Sequence, residues 1–171
     1  AYCAQVSSPT NLSLYGKEAL HFEADEASQI VRLATIGGGT VDLEMICGSL
    51  SLLMDKLPSL RVILLHLDLP ECGKGRSDAS YDNVLKLEAV MSRLSRRGVI
   101  VVCTLCGRAV CNALLLFLTA HYRMVDVQAR LEYDCTNAPL RHVAIKALHI
   151  HDAHSWLHEG CCDAARALEL G

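Results

Sequence analysis

The sequence predicts an α/β domain with a mainly parallel sheet core and flanking helices, on three observations. Apolar runs of strand length alternate with amphipathic stretches of helical period, in the order strand, helix, strand, helix, strand, buried helix, strand. Of the 171 residues, 51% are hydrophobic and 20% charged, a balance that supplies a core and excludes a disordered chain. No internal repeat or low-complexity linker divides it. Residues 1–29 read as an N-terminal extension containing a candidate first strand, and 30–171 as one domain.

Ile30 to Ile36 alternates apolar and polar side chains, the pattern of a half-buried strand, and Gly37, Gly38 and Gly39 break it. Leu43, Ile46, Cys47, Leu50, Leu53, Met54 and Leu57 then recur at helical spacing, with Thr40 a plausible N-cap and Pro58 a stop. Arg61 to Leu67 has the composition of a strand buried in a parallel sheet. A polar loop, Pro70 to Asp82, leads to a second amphipathic helix from about Asn83 to Arg97, ended by Gly98. Val99 to Leu105 is a third strand, punctuated by Gly107. Ala113 to Ala120 is apolar all round and reads as a buried helix; Arg123 to Val127 reads as a further short strand. Strands separated by single helices imply right-handed parallel crossovers.

Sixteen Lys and Arg against 19 Asp and Glu give a net charge of −3, so no basic stripe points to nucleic acid. The apolar runs fall well short of the roughly 20 residues a membrane-spanning helix needs. The chain starts at Ala1 rather than Met, the expectation for a processed or excised segment. Nine cysteines are an odd count, and most sit inside apolar runs. They are expected as reduced core thiols in an intracellular reducing compartment, the cytoplasm or an organelle reached after processing.

Four segments resemble the crotonase (enoyl-CoA hydratase/isomerase) superfamily over roughly residues 30–135. T-V-D-L-E-M-I-C-G-S-L-S-L-L-M-D-K-L looks like the helix after that family's first hairpin, and P-S-L-R-V-I-L-L-H like its next strand. R-G-V-I-V-V-C-T-L-C-G-R-A-V and L-L-L-F-L-T-A-H-Y-R-M-V-D-V-Q-A-R-L look like the strand, buried helix and strand that follow. C-D-A-A-R-A-L-E-L-G is a weaker echo. The resemblance implies crotonase-like ββα repeats and, as ligand, an acyl thioester of coenzyme A or phosphopantetheine, with no other cofactor. It further implies an oxyanion hole of two backbone N–H groups, placed near Lys74 and Asn112.

The chain departs from that pattern where the chemistry sits. The family's triple glycine is Cys111, Asn112 and Ala113, and Asn tolerates the unusual dihedrals a close backbone approach demands. The two hydratase glutamates fall at Leu115 and Cys135, with Glu132 and Asp134 as nearby carboxylates. Against the family the chain is also short at its C-terminus. The expectation is a catalytically degenerate binding or structural subunit, in contact with protein partners or further copies of itself. The alternative is an acyl-thioester enzyme, either hydratase/isomerase or a dehydratase or decarboxylase like those of polyketide biosynthesis, which the chain most resembles in feel.

Other constellations have bland readings. His151, His154 and His158 would share a helical face, with His149 just before them, but interleaved polar residues suit a solvated surface, and no metal is expected. Cys103-x-x-Cys106 lies on a strand rather than at a helix start, which disfavours a redox pair. Gly37-Gly38-Gly39 lacks the Lys-Ser/Thr of a phosphate loop, whereas Gly73-Lys74-Gly75-Arg76 is a cationic loop suited to an anionic ligand or to solvent. Asp68, His121 and neighbouring serines could be drawn as a triad, but no G-x-S-x-G supports them.

Overall fold

The structure, a computed structural model, describes residues 20–25, 29–35, 41–69, 80–133, 136–148 and 150–169. Strands β1 (Leu20–Asp25) and β2 (Ile30–Thr35) form an antiparallel hairpin. Helix α1 (Leu43–Lys56), strand β3 (Val62–Leu69), helix α2 (Tyr81–Arg96) and strand β4 (Ile100–Ala109) follow. Helix α3 (Cys111–Thr119) leads to β5 (Tyr122–Val125) and β6 (Arg130–Glu132). Then come α4 (Ala138–Ala147), α5 (Ile150–Glu159), β7 (Cys161–Asp163) and α6 (Ala164–Glu169). The strands run in the order β1-β2-β3-β4-β6-β7, with β5 also on β4. The pairs β2–β3, β3–β4, β4–β5 and β4–β6 are parallel, as helix crossovers require.

The helices start where short polar side chains accept first-turn N–H groups. Asp42 caps α1, accepting from Glu44 at 2.9 Å and Met45 at 3.1 Å; Ser80 caps α2, and Asn137 caps α4. The cap of α1 is thus Asp42, two residues beyond the expected Thr40, because the carboxylate reaches both donors. At the end of α2, Gly98 adopts φ +71° and lets Val99 N–H return to Leu94 O at 2.9 Å.

Val31, Leu33, Ile63, Leu65, Leu67, Val101, Cys103 and Leu105 point to one sheet face and are buried there with Leu50, Leu53, Leu87 and Leu94 of α1 and α2. The opposite face carries Arg32, His66 and Asp68, all exposed. There His66 Nδ1 lies 2.7 Å from Thr104 Oγ1. So β3 is buried on one face only, not on both as its apolar run suggested. The two polar residues near its end mark the uncovered face.

Strand β4 serves two ladders along the edge opposite β3. Val102 to Leu105 pair with β5, and Arg108 and Ala109 pair with β6. Between them stands Gly107, at φ +79°; a Cβ there would lie 1.7 Å from the carbonyl oxygen of Leu69. The strand therefore continues through the glycine expected to end it, because only glycine permits both the dihedral and the contact. β6, α4 and β7 had no expected counterpart. Gly107→Ala should cost about 3 kcal/mol or more, read as a lower urea midpoint, since backbone rather than a flexible side chain must move.

Candidate functional site

The site the sequence points to lies where β4 passes into α3. Val110, extended at φ −134°, is the N-cap and supplies no side-chain acceptor. Cys111 follows at φ +46°, so the left-handed dihedral falls on the cysteine and not on Asn112 as expected. A non-glycine residue there carries strain of order 1 kcal/mol or more. The turn aims the N-terminus of α3, the positive end of its dipole, beside the end of β6.

Asn112 is buried, and its Nδ2 donates to Val41 O at 3.1 Å, tying α3 to the start of α1. The amide side chain thus acts as a brace between helices. Leu115, where the resemblance puts the first hydratase glutamate, has no exposed surface. It belongs to an uninterrupted apolar block from Ala113 to Leu118. Glu132, at the end of β6, accepts a hydrogen bond from Arg108 Nη2 in a half-buried ion pair. The structure therefore gathers Asn112, Glu132 and Arg108 around one β4–α3 junction. Lys74, Asp134 and Cys135 lie outside the described residues, as do the two glycine loops and Thr40. Arg108 was missed by the sequence reading. Its only signal is its place next to Gly107, since its partner is 24 residues away.

The paper triad does not assemble. Asp68 pairs with Cys106, whereas His121 bonds at Val101, five strand residues and roughly 16 Å away. His121 Nδ1 accepts the Val101 N–H at 3.0 Å, which leaves the ring proton on Nε2. That proton points at Ser95 Oγ, 2.6 Å away, and Ser95 in turn donates to Met91 O at 3.0 Å. The polarity is the reverse of a base drawing a proton from serine.

Cys103 and Cys106 fall on opposite faces of β4, so their spacing forms no pair. Burial pushes the Cys103 thiol far above the usual range, and raises Cys47 and Cys162 to about 11, so these thiols stay protonated. His154 and His158 lie on α5, and among the described residues no three His, Cys, Asp or Glu side chains group to hold a metal. No helix among them is long and apolar enough to cross a membrane.

Burial lowers the pKa of His121 below 6.5. Below about pH 6.5 the unfolded chain therefore takes up a proton that the folded chain resists, and stability falls with pH until the folded state titrates too. Above pH 6.5 both states are neutral and no such contribution is lost. Thermal midpoints of the wild type between pH 7.5 and 5.5 should fall more steeply than those of His121→Gln.

No protein-family model matches the sequence, and no curated protein sequence does. Solved structures do match. An enoyl-CoA hydratase from Mycobacterium smegmatis superposes with a TM-score of 0.71 at 16% identity, over 91% of this chain and 68% of that one. An enoyl-CoA hydratase/isomerase (crotonase) from Legionella pneumophila gives 0.67 at 14%, over 91% and 68%. A methylmalonyl-CoA decarboxylase gives 0.69 at 13%, over 92% and 66%. The chain thus spans about two thirds of the length of these proteins. With the helix crossovers and the strand-to-helix turn at Cys111, these superpositions establish that the chain has the crotonase fold.

Proposed function

We propose that the protein is a crotonase-fold binding or structural subunit that does not hydrate enoyl thioesters. One observation carries this reading: Leu115 is fully buried in α3 where the resemblance calls for a glutamate. Adding water across a double bond needs an acid and a base near the water. A leucine sealed into the core supplies neither. Glu132, the candidate carboxylate among the described residues, is held by Arg108. The apolar side chains of Tyr122 and Met124, 62% and 59% exposed on β5, favour contact with another chain.

A second reading is an acyl-thioester enzyme, and the positive φ of Cys111 favours it. That turn starts α3 at Cys111, and the positive end of the helix dipole would favour negative charge developing on a thioester oxygen. One structurally similar protein is a decarboxylase. Losing CO2 needs stabilisation of the resulting enolate rather than a pair of groups to handle water.

Assay with a crotonyl thioester should show no hydration above the buffer rate, and turnover would overturn the proposal. Calorimetry with coenzyme A or an acyl-pantetheine separates its two forms: micromolar binding marks a binding subunit, and none a structural one. Leu115→Glu should lose about 3 kcal/mol or more of stability rather than gain activity, because a carboxylate would enter an apolar core. The double change Tyr122→Lys, Met124→Glu should shift sedimentation toward the monomer, with the thermal midpoint little altered.

A further inference from the structure

His121 ties three elements together at one point. It follows Ala120, the C-cap of α3, and leads directly into β5. Its backbone N–H donates to Val101 O at 3.1 Å, and its ring Nδ1 accepts the Val101 N–H at 3.0 Å. The neighbouring Ile100 N–H is turned toward Arg61 O, on the β3 side, so the Val101 amide faces the β5 side of β4. β5 pairs with β4 only from Tyr122 and Val102 onward. The imidazole therefore adds a rung at the start of that ladder, with a side chain in place of a strand carbonyl. Its Nε2–H reaches Ser95 Oγ, in the last turn of α2, at 2.6 Å. The strand it holds is a weak one. β5 has four residues, and β4 is its only sheet neighbour among the described residues. Tyr122 and Met124 are exposed, so half of its side chains add little burial to the pairing.

An imidazole nitrogen accepts a hydrogen bond only while it carries no proton. A proton on Nδ1 would set one donor against another, the Val101 N–H. We propose that His121 is a proton-operated latch on β5: neutral, it clamps the start of the strand to β4, and protonated at Nδ1 by solvent, it lets that end fray. The groups facing the ring are the Ser95 hydroxyl from α2 and the Val101 amide from β4. Arg97 donates instead to Met54 O, and Arg123 Nη1 to Leu118 O and Ala147 O. Arg93 and Arg96 are exposed on the last turn of α2. Burial alone lowers the ring's pKa, with no contribution from a charged group. The contact with another chain proposed for Tyr122 and Met124 would weaken as the latch opens. The latch itself belongs to the single chain and stands or falls without that partner.

A released His121 titrates near 6.5, and the clamped ring lower. Between pH 7.5 and 5.5 the opening equilibrium of β5 therefore rises by as much as about tenfold. Amide hydrogen exchange, corrected for its intrinsic pH dependence, should show protection of residues 122–125 falling about five- to tenfold over that range. At pH 5.5 these amides should exchange at least about tenfold faster than those of β3, whose release needs the whole sheet to open. His121→Gln offers an acceptor that does not titrate, and its β5 protection should change less than about twofold. His66→Gln, on the uncovered face, should leave the wild-type fall in place. In the wild type, nitrogen chemical shifts at pH 7.5 should place the ring proton of His121 on Nε2. β5 protection that is flat with pH, or that stays in step with β3, would overturn the latch. So would an equal fall in His121→Gln, loss of the fall in His66→Gln, or a ring proton found on Nδ1 at pH 7.5.

Discussion

The architecture depends on one close approach, that of the Gly107 backbone to the carbonyl of Leu69. This contact closes the β3–β4 ladder, and there β4 leaves the company of β5 and takes up β6. Two residues of β6 pairing then put Glu132 beside Arg108, and the strand turns at Cys111 into α3. A side chain at position 107 would force these two strands apart. The ion pair, the turn and the helix start would all lose their placement together. A single hydrogen atom in place of a methyl group therefore governs the geometry of the whole junction.

Helix α3 is built for packing at least as much as for chemistry. A helix that is apolar on every side must be buried, and the leucines from 114 to 116 and at 118 each remove most of their surface from water. Burying one leucine fully is worth about 1.5–3 kcal/mol, so this block contributes a large favourable term. A carboxylate at Leu115 would reverse part of that gain. Asn112 shows the same preference, because its amide nitrogen bonds the Val41 carbonyl, a contact between helices. The first turn of α3 nonetheless begins with a sharp backbone entry at Cys111 and carries the positive end of the helix dipole. The junction thus combines a tightly packed apolar core with a strained backbone turn at its edge.

Much of this was legible in the chain, for identifiable reasons. Strands β2, β3 and β4 and helices α1, α2 and α3 are long enough for a period of 2 or 3.6 to repeat, and each is found within a few residues of its expected bounds. β6 and β7 have three residues each, too few for any period to show. Their existence depends on tertiary partners, β4 for β6 and β6 for β7. The cap of α4 at Asn137, with Pro139 in the first turn, was a readable signal that went unused. At the site, Asn112 and Leu115 were placed by resemblance, but a positive φ on a cysteine has no residue-type signature. The Arg108–Glu132 pair joins segments whose adjacency only the sheet register supplies.

The strand order also dictates how the chain can assemble. β1 to β4 lie side by side in sequence order, so each newly formed strand docks on the one before it, β2 as the second arm of a hairpin and β3 and β4 after a single helix each. Contacts of that kind carry a modest entropy cost and form early. β6 and β7 have no template until residues 108 and 109 are fixed, which makes the second ladder a late addition. As the one element shared by both, β4 cannot be released without dissolving the first ladder and stranding the second. Its amide hydrogens should be the last in the molecule to exchange with solvent, and they report the stability of the whole fold.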